Sequence, residues 1–290
     1  MFNCFKILSI IYWDPPREAF VIPYTDFAIY WYSIFFALGF LLAYFLFIRE
    51  IQHFLSRSNQ NYDKNQIKIL SYKFTDKLAW YIFFGMIIGA RLGHVIFYEF
   101  DYFAHHPLEI FLTRRGGLAS HGGAIGVLIA LFLFFKYAKK PFQIEWRKVL
   151  DLVTIQVALV GAFIRIGNFF NQEILGTEST LPWAVVFGHP QDPTATFPCH
   201  PVQLYEALFY LLVFICLFCL SHMTRYKLKN GFITGLFFVS IFTFRFFIEF
   251  LKMPQELHQD HFLQMGQLLS LPFIALGVYF LCSKEKYSSV

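Results

Sequence analysis

The chain has 290 residues, a net charge of +5 and only 15% charged residues, against about 25% in an average soluble domain. Hydrophobic residues make up 57%, aromatics 21%, and mean hydropathy is +0.51. That is too apolar for a disordered chain and too poor in charge to cover a soluble domain of this length, so composition points to a polytopic membrane protein whose outside is wetted by lipid.

Crossing a bilayer takes about 20 mostly apolar residues. Apolar runs of suitable length fall at about 27–48, 78–98, 118–135, 149–168, 202–220, 231–251 and 266–282. The reading is an all-α, polytopic integral membrane protein: seven transmembrane helices in one domain over 1–290, with a small external cap in the loop 169–201. Before the first span, Ile7–Tyr12 is too short for a signal peptide, and Asp14-Pro15-Pro16 closes it; it reads as an interfacial segment. Cys4, Cys199, Cys216, Cys219 and Cys282 are odd in number and lack metal spacing, so neither a disulfide framework nor a zinc site is implied.

Basic residues set the expected orientation. The connections 49–77, 136–148, 221–230 and 283–290 hold 16 Lys and Arg, and the opposite side holds 5. By the positive-inside rule the N-terminus is outside and the C-terminus cytoplasmic. Three basic residues remain, Arg91, Arg165 and Arg245, all within spans. An arginine at mid-bilayer costs about 2.5–3.5 kcal/mol, so each needs a reason to be there. Arg91 and Arg165 lie near outer ends, where snorkelling to the interface competes with function. Arg245 lies deep in its span, with Glu249 at i+4 on the same helix face, a spacing that predicts an ion pair.

Arg165 opens a polar run, Arg165-Ile166-Gly167-Asn168 through Gln172-Glu173 to Gly176. Arg165 and Asn168 share a helix face, and the run suits a water-accessible pocket for an anionic head group better than a lipid-facing surface. His121 is flanked by Gly116-Gly117 and Gly122-Gly123, whose N–H groups could approach a phosphate. A histidine ordinarily changes charge near neutral pH, so His121 reads as a base or as a phosphate ligand. The spacings Gly85-xxx-Gly89-xxx-Gly93 and Gly122-xxx-Gly126 predict close helix packing. Gln203 and Glu206 are i,i+3 at the top of the fifth span. Most polar signals cluster toward the outer half, which favours an outward-facing site over a pore.

These blocks resemble the prolipoprotein diacylglyceryl transferase family of bacteria. Arg165 through Gly176 is similar to its signature segment, and Gly116 through Gly123 to its His-Gly-Gly block. His200-Pro201 with Gln203 to Glu206 resembles the block before its fifth span. Phe244-Arg245-Phe246 with Glu249-Phe250 is similar to its sixth-span motif, and Met265-Gly266-Gln267 to its last-span start. Ile29-Tyr30-Trp31-Tyr32 resembles its first-span entry, with Tyr30 where an Arg is common and Ser33 where a Gly is common.

The resemblance implies transfer of a diacylglyceryl group from phosphatidylglycerol to the lipobox cysteine of a prolipoprotein in the inner membrane, with no metal or cofactor and no nucleic acid partner. On that footing Arg165 and Arg245 bind the phosphate and stabilise the leaving group, with Glu249 holding Arg245. Asn168, Glu173 and Gly176 shape the head-group pocket. His121 is the candidate base, and Tyr32 a second hydrogen-bonding group. The alternatives are another membrane lipid-modifying acyltransferase, or a lipid transporter or flippase.

Overall fold

A computed structural model of the chain describes residues 11–24, 27–57, 62–112, 117, 119–138, 142, 144–223, 228–253 and 263–283, without the side chains of Ser120, His121 and Met223. Six helices among them are long and apolar enough to cross a membrane. They are α1 (Trp31–Ser56), α2 (Lys64–Phe97), α5 (Trp146–Phe170), α6 (Val202–Met223), α7 (Phe232–Ile248) and α8 (Met265–Cys282). A shorter apolar helix, α4 (Ser120–Leu133), continues as a π-helical turn to Ala138 and supplies the seventh. Contacts divide the chain into two units, Met1–Leu46 with Arg147–Ser289, and Phe47–Trp146.

In the unit Phe47–Trp146, α2 packs on α4. A Cβ added at Gly89 would lie 2.7 Å from the Gly126 Cα, and one at Gly126 would lie 2.9 Å from the Gly89 Cα, so only glycine allows this backbone approach. The predicted role of those glycines holds. Helix α2 begins 14 residues before the expected span. Asp63 and Gln66 form a capping box there, and the amphipathic stretch Lys64–Lys77 stays helical although it is too charged to read as a span.

Arg91 is only 7% exposed and does not snorkel. Its guanidinium donates to the carbonyls of Ile110 (2.7 Å), Gly117 (3.0 Å) and Glu109 (2.7 Å), and sits 4.9 Å from the Phe103 ring centroid. It clamps the connection after α2, including the short helix α3 (Phe100–His105), a structural role.

The other unit is built around α5. One face of it, Ile155, Ala158 and Ala162, meets Tyr210, Val213 and Leu217 of α6 and Ile233, Phe237 and Ile241 of α7. Buried Asp151 caps α7 from across this core: its carboxylate accepts from Gly231 N (2.9 Å), Thr234 N (2.8 Å) and Thr234 Oγ1 (2.7 Å), satisfying donors that a helix start leaves open.

The cap carries strands that composition did not announce. Strand β1 (Ile11–Trp13) pairs in parallel with β4 (Val185–Phe187), and β2 (Glu18–Val21) pairs antiparallel with β3 (Ala28–Tyr30). Tyr12, read as interfacial, is in β1, whereas residues 7–10 lie outside the described residues. Trp13 donates to the Phe169 carbonyl and packs on the Phe169 and Phe170 rings, so this end of the chain is fastened to the end of α5. Phe169, Leu175, Val185, Phe187, Ala195 and Cys199 form the cap's own core.

Candidate active site

The polar run at the end of α5 folds back on itself. Gln172 (φ 54°) and Ile174 (φ 58°) are both left-handed, a conformation costing about 1–3 kcal/mol for each non-glycine residue. They flank Glu173, and this double reversal wraps its carboxylate onto α5. Asn168 Nδ2 donates to Glu173 Oε1 at 2.6 Å, and Arg165 Nη1 donates to Asn168 Oδ1 at 3.1 Å. Gln203, fully buried, donates to the Glu173 carbonyl at 2.8 Å. The predicted set Arg165, Asn168 and Glu173 is therefore one connected cluster.

Tyr32 joins it. A Cβ at Gly167 would lie 2.9 Å from the Tyr32 ring, so a glycine there lets α1 approach α5. The Tyr32 phenol comes within electrostatic range of both Glu173 and Arg165.

Arg165 is held from a second side. Its Nε lies 3.0 Å from Oε2 of Glu206, a carboxylate with no exposed surface. The other oxygen of Glu206 lies 3.1 Å from Lys252 Nζ, and Lys252 in turn lies 3.1 Å from Glu249 Oε2. The result is a chain of alternating charge, Arg165, Glu206, Lys252, Glu249, in which each buried ion has an opposite neighbour. Backbone pairing positions the lysine: Thr177 N donates to Leu251 O, and Met253 N to Leu175 O, around a bridge between Gly176 and Lys252. Gly176 thus belongs to the site's frame, where a side chain would meet His200.

The expected ion pair of Arg245 with Glu249 does not form. Helix α7 ends at Ile248, and Glu249–Leu251 turn as a 3₁₀ helix. The tighter turn carries the Glu249 carboxylate to Lys252, three residues on, and away from Arg245. Among the described residues no carboxylate pairs with Arg245. Its guanidinium lies instead within electrostatic range of Tyr210, which is also within electrostatic range of Arg165. Stacking of Phe209 on Phe244, with centroids 3.9 Å apart, fixes α6 against α7 beside these two residues.

Tyr32, Arg165, Asn168, Glu173, Gly176, Arg245 and Glu249 are the site residues expected from the sequence; Tyr210 and Lys252 are not among them. Gln203 and Glu206 stand out in the sequence only as a polar pair on one helix face. His121 lies in the first turn of α4, in the unit Phe47–Trp146, and its side chain is outside the described residues. The cap's own thiol is kept inert. Burial pushes the Cys199 pKa up to about 11, outweighing the Gly176 amide that lowers it, and Cys199 Sγ donates to the Val185 carbonyl.

Helices long and apolar enough to cross a membrane, with a cluster of buried, paired charges in the unit built around α5, define a multi-pass membrane protein. The family model described as prolipoprotein diacylglyceryl transferase matches residues 18–283, and the chain belongs to that family. It is 38% identical to the phosphatidylglycerol–prolipoprotein diacylglyceryl transferase of Protochlamydia amoebophila, over 98% of this chain and 97% of that one. It is 39% identical to the enzyme of that name from Tolumonas auensis, over 96% and 99%. The like-named Chlamydia pneumoniae protein is 36% identical over 93% and 94%.

Proposed function

We propose that this chain transfers the diacylglyceryl group of phosphatidylglycerol to the lipobox cysteine thiol of prolipoproteins, the first step of lipoprotein maturation. Membership of the family decides this against the acyltransferase and transporter readings. One observation supports the roles given to the residues: Arg165 is paired with Glu206, whereas among the described residues no carboxylate pairs with Arg245. Arg165 is paired and fixed, whereas Arg245 keeps its charge for a ligand.

In the reaction the thiol loses its proton, and sulfur forms a bond to the glyceryl carbon. The bond between that carbon and the phosphate oxygen breaks with its electron pair going to oxygen. The phosphodiester, with one negative charge, leaves as glycerol phosphate, a monoester that gains a second. Arg165 and Arg245 face the charge that develops, and fixed donors of this kind contribute about 3–4 kcal/mol each to transition-state stabilisation. Asn168 and Glu173 hold Arg165 at its angle, and the carboxylate of Glu173 is an acceptor for head-group hydroxyls. Tyr32 and Tyr210 are further hydrogen-bonding groups. His121 is the proposed base for the thiol, the alternative being a phosphate ligand.

The protein is proposed to sit in a bacterial inner membrane with its N-terminus and the cap outside and its C-terminus in the cytoplasm, on the distribution of Lys and Arg. Purified protein in phosphatidylglycerol vesicles, given a lipobox peptide, should add the mass of one diacylglyceryl group to the cysteine. Vesicles of phosphatidylcholine alone should not support it. No mass gain with phosphatidylglycerol would refute the assignment.

A further inference from the structure

We propose that a groove at the paired ends of α1 and α2 binds the phosphate of an anionic phospholipid of the cytoplasmic leaflet. None of its residues is assigned to transfer, and the choice of leaflet rests on the orientation proposed above. The groove has a volume of about 660 Å³, and its lining includes Arg49, His53, Lys64, Lys68, Gln52 and Tyr72. No carboxylate among the described residues lines it. Among the described residues, Arg49, Lys64 and Lys68 have no acidic partner.

The nearby acids are engaged or turned away. Glu50 is 2% exposed and does not line the groove. Asp63 spends its carboxylate on the α2 cap, accepting from Gln66 N at 2.7 Å. The positive-inside rule explains cations at this end of the helices, but not their convergence on one concavity without counter-charge. Like charges so placed repel one another, and a bound phosphate relieves that repulsion while drawing donors from Arg49, Lys64, Lys68 and the Tyr72 hydroxyl.

The groove is also built before any ligand arrives. Gln52 Nε2 donates to Ser71 Oγ at 3.2 Å, tying α1 to α2. Beneath it Ile51, Leu55 and Phe74 are buried, and Phe47 stacks on Phe74. The apolar face of α2 favours a lipid over free phosphate. Past Lys77 the helix exposes Trp80, Phe83 and Phe84, a surface along which acyl chains can run once the head group is seated.

Native mass spectrometry tests this on the full chain, extracted in non-ionic detergent and exchanged through mixed micelles of phosphatidylglycerol and phosphatidylcholine. The wild type should retain phosphatidylglycerol that Arg49→Gln/Lys64→Gln/Lys68→Gln loses. At about fivefold for each surface cation, retention should weaken about a hundredfold in the triple variant and about fivefold in Lys68→Gln alone. Both variants should keep their melting temperature and their diacylglyceryl transfer from excess phosphatidylglycerol. Loss of transfer in the wild type would strike the proposed function and leave the retention result standing. Equal retention by wild type and triple variant would overturn the site. Displacement of the retained lipid by excess inorganic phosphate would overturn its assignment to a lipid. Labelling of Arg57→Cys by an impermeant reagent added outside intact spheroplasts would overturn the leaflet.

Discussion

The Glu206 carboxylate lies between two cations, with Arg165 Nε 3.0 Å from one oxygen and Lys252 Nζ 3.1 Å from the other. Glu206 has no exposed surface, and Lys252 is 5% exposed. A buried carboxylate stripped of one such partner is left undercompensated, at a cost of about 3–5 kcal/mol. Two effects of changing Arg165 can therefore be separated.

Arg165→Ala should lower transfer about 100- to 1000-fold, from loss of a charge facing the leaving phosphate, and should also lower the melting temperature. Arg165→Ala/Glu206→Gln should recover the melting temperature and remain inactive. Transfer above a tenth of wild type in either variant, measured by peptide mass, would remove Arg165 from the phosphate site.

Coupling between charges should follow the observed pairs. In double-mutant cycles read by thermal unfolding, Glu206 with Lys252 should couple measurably, as buried neighbours do, by about 0.5–3 kcal/mol. Arg245 with Glu249 should be additive to within about 0.5 kcal/mol. Strong coupling of Arg245 with Glu249 would restore the pair that helical spacing suggests.

Much of this was legible in the sequence, for identifiable reasons. Apolar runs mark the spans because lipid demands them, and the glycines spaced by four along α2 and α4 mark a close crossing because nothing larger fits. Arg165, Asn168 and Glu173 were readable as a cluster because they lie within nine residues of one another. What escaped depends on distant or irregular backbone. Lys252 reaches Glu206 only through the bridge of Gly176 to Lys252, which no local pattern encodes. Glu249 was assigned to Arg245 on helical spacing, which fails because the helix tightens at Glu249 itself. The left-handed Gln172 and Ile174 carry residue types that give no warning of that conformation.

The cap of α7 should matter for stability alone. Asp151→Ala leaves the amides of Gly231 and Thr234 without their acceptor, and should cost about 2–3 kcal/mol. The remaining folded fraction should transfer at the wild-type rate per molecule, measured by active-site titration against total protein. A normal melting temperature would contradict the capping role.

Cys199 gives a pH signature. Its folded pKa of about 11 lies above the ordinary 9.0 because burial favours the neutral thiol. The folded state keeps a proton that the unfolded chain releases, so its contribution is intact below about pH 9 and is lost as pH rises toward 11. The fall in melting temperature over that window should be smaller in Cys199→Ala. At neutral pH only about one thiol in ten thousand is ionised, so Cys199 should resist alkylation in the folded protein. Rapid alkylation at pH 7 would contradict its burial.

Orientation is tested by single cysteines at the two ends of the bundle. Asp192→Cys should react with an impermeant maleimide in intact spheroplasts, and Arg57→Cys only after lysis. The reverse pattern would invert the topology.

The measurement that bears most directly on the mechanism is single-turnover transfer by Arg245→Leu in phosphatidylglycerol vesicles, alongside its melting temperature. Arg245 has no carboxylate partner among the described residues, so its removal strands no buried charge and should leave the melting temperature within a few degrees of wild type. Transfer should nevertheless fall about 100- to 1000-fold, because the charge kept for the phosphate is gone. A stable variant that still transfers at the wild-type rate would contradict the assignment of Arg245 to the leaving group, and with it the two-arginine account of the site.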